Sequence, residues 1–343
     1  MIGMIFPFSL SFLSFGYGRF SCVTAKGLFG RVLPFAGLVL ACVAGSFPAG
    51  AQADTVDTFY VSVYNQYDGT GEILKVTDVN GTPAVTTFAS GLQQPEGIAF
   101  DSGGNLFVVD LSTVYKYNSE GVQSVFISDL NRINGQPTTG LFIDSHDNVW
   151  VPGDGKNWYA SIIEYDPFGT EIKTVYTGGG PSGFVVDAAG NLYVANSFNG
   201  EIDKYAPDGS ATTLVSDDVL YSAAGLVFAP DGSLLVACGK KIYKLEDGTL
   251  STYLTLTATG GGMVFDSSGN LLTALEGGGS KNGIALTTPE GTTSTYLSLT
   301  KYQFPNTLAI APPAIPEPST SALAGLAIGA ALAFRRRGWS NAK

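Results

Sequence analysis

Hydrophobic residues recur along the middle of the chain as two short runs separated by a polar turn. One copy of this pattern, GFVVDAAGNLYVAN, begins at Gly183, and four further copies begin at Gly97, Gly140, Gly225 and Gly262. The leading glycines stand 43, 43, 42 and 37 residues apart. A repeat of about 40–45 residues is typical of propeller blades and of helical arrays, so the content of the copies has to distinguish the two.

Each copy has the pattern of a β-hairpin. In the copy at Gly97, the run GIAF alternates large and small residues as a strand does. The run at residues 106–109, LFVV, is apolar throughout, which is typical of a strand covered on both faces. The Asp-x-x-Gly-Asn segment between them predicts a tight turn with a residue of positive φ. Glycine holds that place in four copies and Asp147 holds it in the other, and Asp tolerates positive φ.

A second hairpin pattern follows each copy, so that every period holds four strands and no helical pattern. Four-stranded units with both faces covered are the blades of a β-propeller. At the N-terminal end, residues 59–88 supply only second, third and fourth strands, whereas PNTLAI at residues 305–310 matches the first strand PEGIAF at residues 95–100. We therefore predict an all-β, six-bladed propeller whose last blade is closed by one C-terminal and three N-terminal strands. Residues 307–311 should pair with residues 60–65, which removes the open sheet edge.

The repeated unit resembles the NHL repeat, and the predicted ring resembles the six-bladed propellers of the SMP-30/gluconolactonase type. The resemblance covers residues 54–312 and implies the fold, because propellers of this kind have many functions. In lactonases of that type a Glu-Gly pair at the start of an innermost strand supplies a metal-binding carboxylate, and Glu96-Gly97 resembles that pair. The resemblance therefore implies an alternative function, a metal-dependent hydrolase with Ca²⁺ as a candidate cation.

Composition divides the chain into three segments. Residues 1–53 contain Lys26 and Arg31, an apolar stretch and an Ala-Gln-Ala site at residues 51–53, which predicts an unusually long signal peptide for signal peptidase. Residues 54–312 are the predicted propeller. Residues 313–343 contain a Pro-Glu-Pro sequence, a short apolar run and an arginine cluster.

The order of features in the C-terminal segment resembles the PEP-CTERM sorting signal. Its polar positions are Pro316, Glu317, Pro318, Arg335, Arg336 and Arg337, which flank the apolar run 322–334. In that family an exosortase recognises and cuts the tail in Gram-negative, exopolysaccharide-producing bacteria. A plain membrane tail is the other interpretation, although the run is short of the roughly 20 residues that a spanning helix needs. The resemblance implies a protein of the cell surface or extracellular matrix with a transient C-terminal membrane anchor.

Charge is concentrated in the propeller segment. The chain has a net charge of −11, but seven of its 18 basic residues and one of its 29 acidic residues lie outside residues 54–312. That segment therefore carries a net charge of −17. Such a surface repels nucleic acid and anionic membranes, so neither is expected as a lasting partner.

Residues suited to catalysis are few. A Ser-His-Asp arrangement would have to use His146, the sole histidine, which falls in a predicted hairpin turn. Cys238 would be the single cysteine left after removal of the signal, so it has no partner for a disulfide within the chain. We therefore expect no catalytic residue and no cofactor.

The mouth of the predicted channel is where propellers place their sites. The residue before each leading glycine begins an innermost strand and should point toward the axis; these residues are Glu96, Thr139, Ser182, Ala224, Gly261 and Asn306. One carboxylate and one amide are few for Ca²⁺, which takes 6–8 oxygen ligands. Loops could add Asp154, Asp217 or Glu276.

Aromatic residues occur in loops on the same side of the predicted ring. Trp158, Tyr159, Phe198 and Tyr302 would suit sugar rings, or they would pack over their own blades. Together with Glu96 and Asn306 they are the candidate ligand-binding residues. We expect an exported, non-catalytic binding or scaffold protein whose partner is an extracellular glycan or a surface protein.

Overall fold

The described part of the chain forms six antiparallel sheets of four strands each. The computed structural model describes residues 57–79, 81–130, 140–154, 160–278 and 281–313. A short 3-10 helix lies at Asp218–Ser222, which the sequence pattern did not predict. The predicted six-bladed β-propeller is confirmed.

The first blade combines the two ends of the propeller segment. Its strands, from the innermost outward, are β24 (Gln303–Ile310), β1 (Phe59–Asn65), β2 (Thr70–Val79) and β3 (Thr82–Leu92). In the antiparallel pairing of β1 and β24, Phe59 lies opposite Ile310 and Asn65 lies opposite Gln303. The predicted closure is therefore confirmed, and the closing strand begins four residues before the predicted Thr307.

The other five blades run from the innermost to the outermost strand in sequence order. The second blade contains β4 (Pro95–Phe100), β5 (Leu106–Asp110), β6 (Thr113–Tyr117) and β7 (Gln123–Ile127). The third contains β8 (Phe142–Ile143), β9 (Val149–Asp154), β10 (Ala160–Tyr165) and β11 (Glu171–Tyr176). The fourth contains β12 (Pro181–Val186), β13 (Leu192–Asn196), β14 (Glu201–Tyr205) and β15 (Ala211–Ser216). The fifth contains β16 (Ala223–Phe228), β17 (Leu234–Cys238), β18 (Lys241–Glu246) and β19 (Thr249–Thr255). The sixth contains β20 (Thr259–Phe265), β21 (Leu271–Glu276), β22 (Gly283–Thr287) and β23 (Thr293–Ser298).

A separate apolar cluster fills each of the six interfaces between blades. In β5, Leu106 and Val108 pack toward the first blade. Phe107 and Val109, which alternate with them, pack toward the third blade. Because side chains of a strand point alternately to its two faces, a strand between two neighbouring sheets has to be apolar at every position. This arrangement accounts for the LFVV pattern.

The leading glycine of each copy lies where two innermost strands approach each other around the axis. A Cβ atom on Gly97 would lie 2.4 Å from the carbonyl carbon of Gly140. A Cβ atom on Gly225 would lie 2.7 Å from the carbonyl oxygen of Gly261. Real Cβ atoms do not approach backbone so closely, so the repeated glycine is required by the packing of the ring rather than by a turn.

The Asp-x-x-Gly-Asn turns are built as predicted. The carboxylate of Asp101 accepts hydrogen bonds from the backbone N and the Nδ2 of Asn105, at 2.8 and 3.0 Å. Gly104 and Asp147 occupy the positive-φ position of their turns, with φ of 77° and 62°. Asp147 also accepts hydrogen bonds from the backbone N and Oγ of Ser102, at 2.8 and 2.6 Å, which link the second and third blades. The carboxylates of Asp101 and Asp147 therefore both have a structural role.

Candidate functional site

The two faces of the ring carry different connections. We call the mouth face the one formed by the turns between second and third strands, such as residues 66–69, and by the loops that lead into each innermost strand, such as residues 299–302. We call the turn face the one formed by the Asp-x-x-Gly-Asn turns and by the turns between third and fourth strands, such as residues 166–170. Because all blades have the same strand directions, each kind of connection occurs on one face.

A pair of tyrosines stands on the mouth face of the first blade. The ring centroids of Tyr67 and Tyr302 are 5.2 Å apart and their planes are tilted by 39°. Tyr67 is 77% exposed and Tyr302 is 39% exposed. The backbone N of Gln66 donates to the carbonyl oxygen of Tyr302 at 2.9 Å, which joins the two loops. The Nζ of Lys301 lies 4.6 Å from the centroid of the Tyr302 ring. The pair therefore presents aromatic area with a cation beside it.

Hydrogen bonds within the turn hold Tyr67 in place. The Oδ1 of Asn65 accepts from the backbone N of Tyr67 at 3.0 Å, and its Nδ2 donates to Asp68 at 3.1 Å. Asp68 in turn accepts from the hydroxyl and the backbone N of Thr70, at 2.6 and 3.0 Å. The bonds from Thr70 lower the pKa of the Asp68 carboxyl. The turn is therefore ordered although its tip contacts solvent.

Phe198 occupies the corresponding turn of the fourth blade. The two turns share the sequence Asn-x-aromatic-Asx-Gly, and both glycines, Gly69 and Gly200, have a positive φ of 70° and 67°. The Phe198 ring lies over Gly180, where a Cβ atom would come within 2.8 Å of the ring carbons. Its side chain is nevertheless 71% exposed. In a ring of six, the first and fourth blades are opposite each other, so the two aromatic tips stand on opposite sides of the channel.

An axial channel of about 480 Å³ lies between the innermost strands. Its wall is mainly apolar, and polar side chains from Glu276, Asn306 and Thr259 occur toward its mouth-face end. Burial raises the pKa of the Glu276 carboxyl, and no hydrogen bond from the described residues offsets that effect. The Nδ2 of Asn306 donates to the carbonyl oxygen of Pro95 at 2.8 Å. This end of the channel therefore presents one carboxyl group whose acidity is weakened.

The residues predicted to point toward the axis have different environments. Ala224, Gly261 and Asn306 line the channel. Glu96 is only 2% exposed, and its carbonyl oxygen accepts a hydrogen bond from Ser62 Oγ at 2.6 Å. The Oγ of Ser182 donates to the carbonyl oxygen of Ala195 at 3.2 Å. Thr139 lies outside the described residues.

The candidate residues expected in loops also differ in where the structure places them. Trp158 and Tyr159 lie outside the described residues, and of Asp154 the structure gives only its place at the end of β9. Asp217 caps the 3-10 helix by accepting a hydrogen bond from the backbone N of Val219 at 3.0 Å. Of these candidates, Glu276, the last residue of β21, is the carboxylate that the described structure brings to the channel.

His146 lies on the turn face, and Cys238, at the end of β17, is buried within its blade. His146 is exposed in a turn of the turn face, where its backbone N donates to Asp144 at 2.8 Å. Cys238 is a free, buried cysteine, and burial raises the pKa of its thiol to about 12. Within the described ranges no three His, Cys, Asp or Glu side chains are grouped closely enough to hold a metal ion.

The described mouth residues do not fit the metal site of a lactonase. Ca²⁺ takes 6–8 oxygen ligands. Toward the mouth the channel-lining set offers the carboxylate of Glu276, the amide oxygen of Asn306 and the hydroxyl of Thr259, fewer oxygen ligands than Ca²⁺ takes. The carboxylate-bearing side chain of Glu96 is buried and does not line the described channel.

Comparisons with known proteins identify the tail and support the fold. Residues 314–337 match the PEP-CTERM protein-sorting motif. No curated protein sequence matches the chain. In the part of the chain that the structure describes, no helix is long and apolar enough to cross a membrane, and the motif lies outside that part.

Solved structures with the same fold have low sequence identity to this chain. TolB from Acinetobacter baumannii has a TM-score of 0.60 at 14% identity, covering 75% of this chain and 67% of that one. A protein of unknown function from Bacteroides caccae has a TM-score of 0.55 at 15% identity, covering 75% and 100%. A gluconolactonase from Xanthomonas campestris has a TM-score of 0.50 at 14% identity, covering 64% and 85%. At these identities the similarity extends to the fold alone.

Proposed function

We propose that this protein is a non-catalytic glycan-binding protein of the cell surface or extracellular matrix, and that its mouth face is the binding surface. The PEP-CTERM motif indicates an exported protein sorted by exosortase. The observation that supports binding is the pair of aromatic-tipped turns at Tyr67 and Phe198, which are exposed on opposite blades. A scaffold role for a surface protein partner would use the same face.

The chemistry of the two turns suits a sugar chain. An aromatic face offers apolar area to a sugar ring, and nearby polar groups fix its orientation through hydrogen bonds. Tyr67 and Tyr302 carry phenol hydroxyls and have Lys301 beside them. Because two such sites lie on one rigid ring, a polymer that reaches both would bind more tightly than a short fragment.

Affinity electrophoresis in gels containing matrix polysaccharide from the producing cells tests this proposal. We expect retardation of the purified protein and loss of about 3–10-fold in affinity for either Tyr67→Ala or Phe198→Ala, with a larger loss in the double variant. Trp158→Ala should also weaken binding, as the sequence indicates. The control is Phe168→Ala, because Phe168 is 90% exposed on the turn face. Absence of retardation, or an equal loss in the control, would contradict the proposal.

Exosortase processing is the second part of the proposal. Replacement of Pro316, Glu317 and Pro318 by alanine should leave the propeller folded but stop the cutting of its tail. As a control, Pro289 and Glu290, which lie in a turn of the turn face, are replaced by alanine and processing should continue. Intact-mass measurement of surface material distinguishes the products. Mature, released protein that still carries Arg335–Arg337 would rule out tail cleavage.

A metal-dependent hydrolase is the second candidate function. The observation that favours it is Glu276, since a carboxyl group with a raised pKa at a channel mouth can serve as a general acid or base. Against it stands the poor fit of the described mouth residues to a Ca²⁺ site. The corresponding assay is given in the Discussion.

A further inference from the structure

Both ends of the described propeller leave it on the turn face. After the innermost strand β24 ends at Ile310, the backbone N of Ala311 still donates to the carbonyl oxygen of Thr58 at 2.9 Å. Pro312 then lies beside the first turn of the second blade, where its Cγ is 3.9 Å from the Cβ position of Gly104. The chain therefore passes to residue 313 close to the ring axis and on the turn face.

The N-terminal end is fixed to the same face. The carboxylate of Asp57 accepts hydrogen bonds from the backbone N and Oγ of Ser267, at 2.6 and 2.8 Å. Ser267 belongs to the Asp-x-x-Gly-Asn turn of the sixth blade. The contact repeats the link that Asp147 makes to Ser102 between the second and third blades.

Only a short connection joins this exit point to the apolar run of the sorting motif. Nine residue steps separate Pro313 from Ala322. Such a connection spans at most about 30 Å when fully extended. It also has to cross the headgroup layer, which takes about 5–7 Å on one side of a bilayer. About 24 Å of reach remains outside the membrane.

That reach is too short to let the mouth face lie against the membrane. A connection that starts near the axis would have to cross four strands, about 14 Å at a spacing of about 4.8 Å. It would then have to follow the height of the rim, about 18 Å for strands of five to six residues. The path of about 32 Å exceeds the available length even before side chains are counted.

We propose that, while the tail holds the protein in a membrane, the turn face is toward the bilayer and the mouth face points away from it. This arrangement would leave Tyr67, Tyr302 and Phe198 free to meet a partner outside the membrane. It goes beyond the proposed function and does not depend on it, because it follows from the exit point and the connection length alone.

The negative charge of the propeller segment disfavours direct adhesion of the ring to a membrane, so the connection to the tail sets its orientation. The segment 54–312 has a net charge of −17, which opposes adhesion of the ring to an anionic bilayer. Attachment through the connection therefore determines which face is near the lipid. A neutral bilayer removes the repulsion and isolates the geometric effect.

Energy transfer from the two faces to lipid acceptors tests the proposal. The chain without its predicted signal peptide, residues 54–343, is reconstituted into phosphatidylcholine vesicles containing a rhodamine-labelled lipid. Cys238 is kept, because its thiol is buried and its raised pKa disfavours the thiolate that reacts with a maleimide dye. Donor dye is attached at Phe168→Cys on the turn face or at Tyr67→Cys on the mouth face. Both original side chains are highly exposed, so the two sites are matched.

We expect the donor at residue 168 to be quenched at least about twofold more than the donor at residue 67, since the faces are roughly 18 Å apart. The difference should disappear in detergent. A second pair, Asp208→Cys on the turn face and Tyr221→Cys on the mouth face, should give the same order. Equal quenching, stronger quenching at the mouth face, or no quenching of either donor in vesicles would overturn the proposal. Loss of glycan binding would leave this measurement unchanged, so the two proposals can fail separately.

Discussion

The Nδ2 of Asn306 donates a hydrogen bond of 2.8 Å to the carbonyl oxygen of Pro95, and so joins the closing strand to the innermost strand of the next blade. The next residue adds to this link, because the Oγ1 of Thr307 donates to the carbonyl oxygen of Glu96. Ser62 Oγ, from β1, donates to the same carbonyl oxygen at 2.6 Å. The other copies have glycine where the closing strand has Thr307. The closure therefore combines strand pairing with side-chain bonds to the adjacent blade.

Thr307→Val should lower the stability of the whole ring. Valine keeps the shape of threonine but cannot donate to the carbonyl oxygen of Glu96, so the expected loss is about 1 kcal/mol in the free energy of unfolding. Urea denaturation followed by tryptophan fluorescence measures it. The control is Thr212→Val, on an exposed position of the outer strand β15. If both variants have the stability of the unmodified protein, the closing hydrogen bonds do not contribute.

The glycines of the innermost strands allow a sharper prediction, because the adjacent residues Gly261 and Gly262 differ in the space around them. A Cβ atom on Gly262 would lie 2.8 Å from the carbonyl oxygen of Asn306 and from the Cα of Thr307. A Cβ atom on Gly261 would have its nearest contact at 3.4 Å. Overpacking against backbone costs about 1–3 kcal/mol. We expect Gly262→Ala to lower the melting temperature clearly and Gly261→Ala to have a smaller effect. The reverse order, measured by calorimetry, would contradict this account of the repeat.

Acid should destabilise the protein through its turn carboxylates. Partial burial tends to raise the pKa of Asp187, but hydrogen bonds from Asn191 and Tyr193 outweigh it and lower that pKa. A carboxyl group whose pKa is lower in the folded state stabilises the fold above its unfolded pKa of about 3.9. That contribution is lost as the pH falls through the folded-state value.

The urea midpoint at pH 7 and at pH 3 measures this effect. Asp187→Asn should be less stable than the unmodified protein at pH 7, and the difference should shrink at pH 3. Asp247→Asn, at an exposed turn with no side-chain hydrogen bond among the described residues, serves as the control. An unchanged difference between pH 7 and pH 3 for Asp187→Asn would show that its carboxylate does not titrate with folding.

The sequence allowed the fold to be predicted because its signals are local and repeated. The period of about 40 residues, the Asp-x-x-Gly-Asn turns and the LFVV-type strands all depend on packing that recurs in every blade. The composite blade was predictable because residues 305–310 repeat the pattern of residues 95–100. The 3-10 helix at Asp218–Ser222 was not predicted, since it lies in a loop outside the repeated sequence pattern.

The site was less predictable because it lies in the parts that do not repeat. Glu96 was expected at the channel axis from its place in the strand, but its side chain is buried. Tyr67 was overlooked although its turn has the same Asn-x-aromatic-Asx-Gly sequence as the turn of Phe198. The exposure of Tyr67 and its ring contact with Tyr302 depend on two loops that are distant in sequence, so no local sequence pattern predicts them.

Hydrolysis of a lactone provides the test between binding and catalysis. Metal-assisted attack needs a cation with several fixed ligands and an activated water. Among the described residues the channel mouth offers the Glu276 carboxyl, the Asn306 amide and the Thr259 hydroxyl, while Glu96 is buried. We therefore expect no hydrolysis of gluconolactone above the uncatalysed rate when the purified protein is supplied with Ca²⁺, Zn²⁺ or Mn²⁺. Glu96→Ala should have little effect on glycan binding, whereas Tyr67→Ala should reduce it. Metal-dependent turnover that is abolished by Glu96→Ala or by Glu276→Gln, but kept in Glu290→Gln on the turn face, would assign the protein to the hydrolases instead.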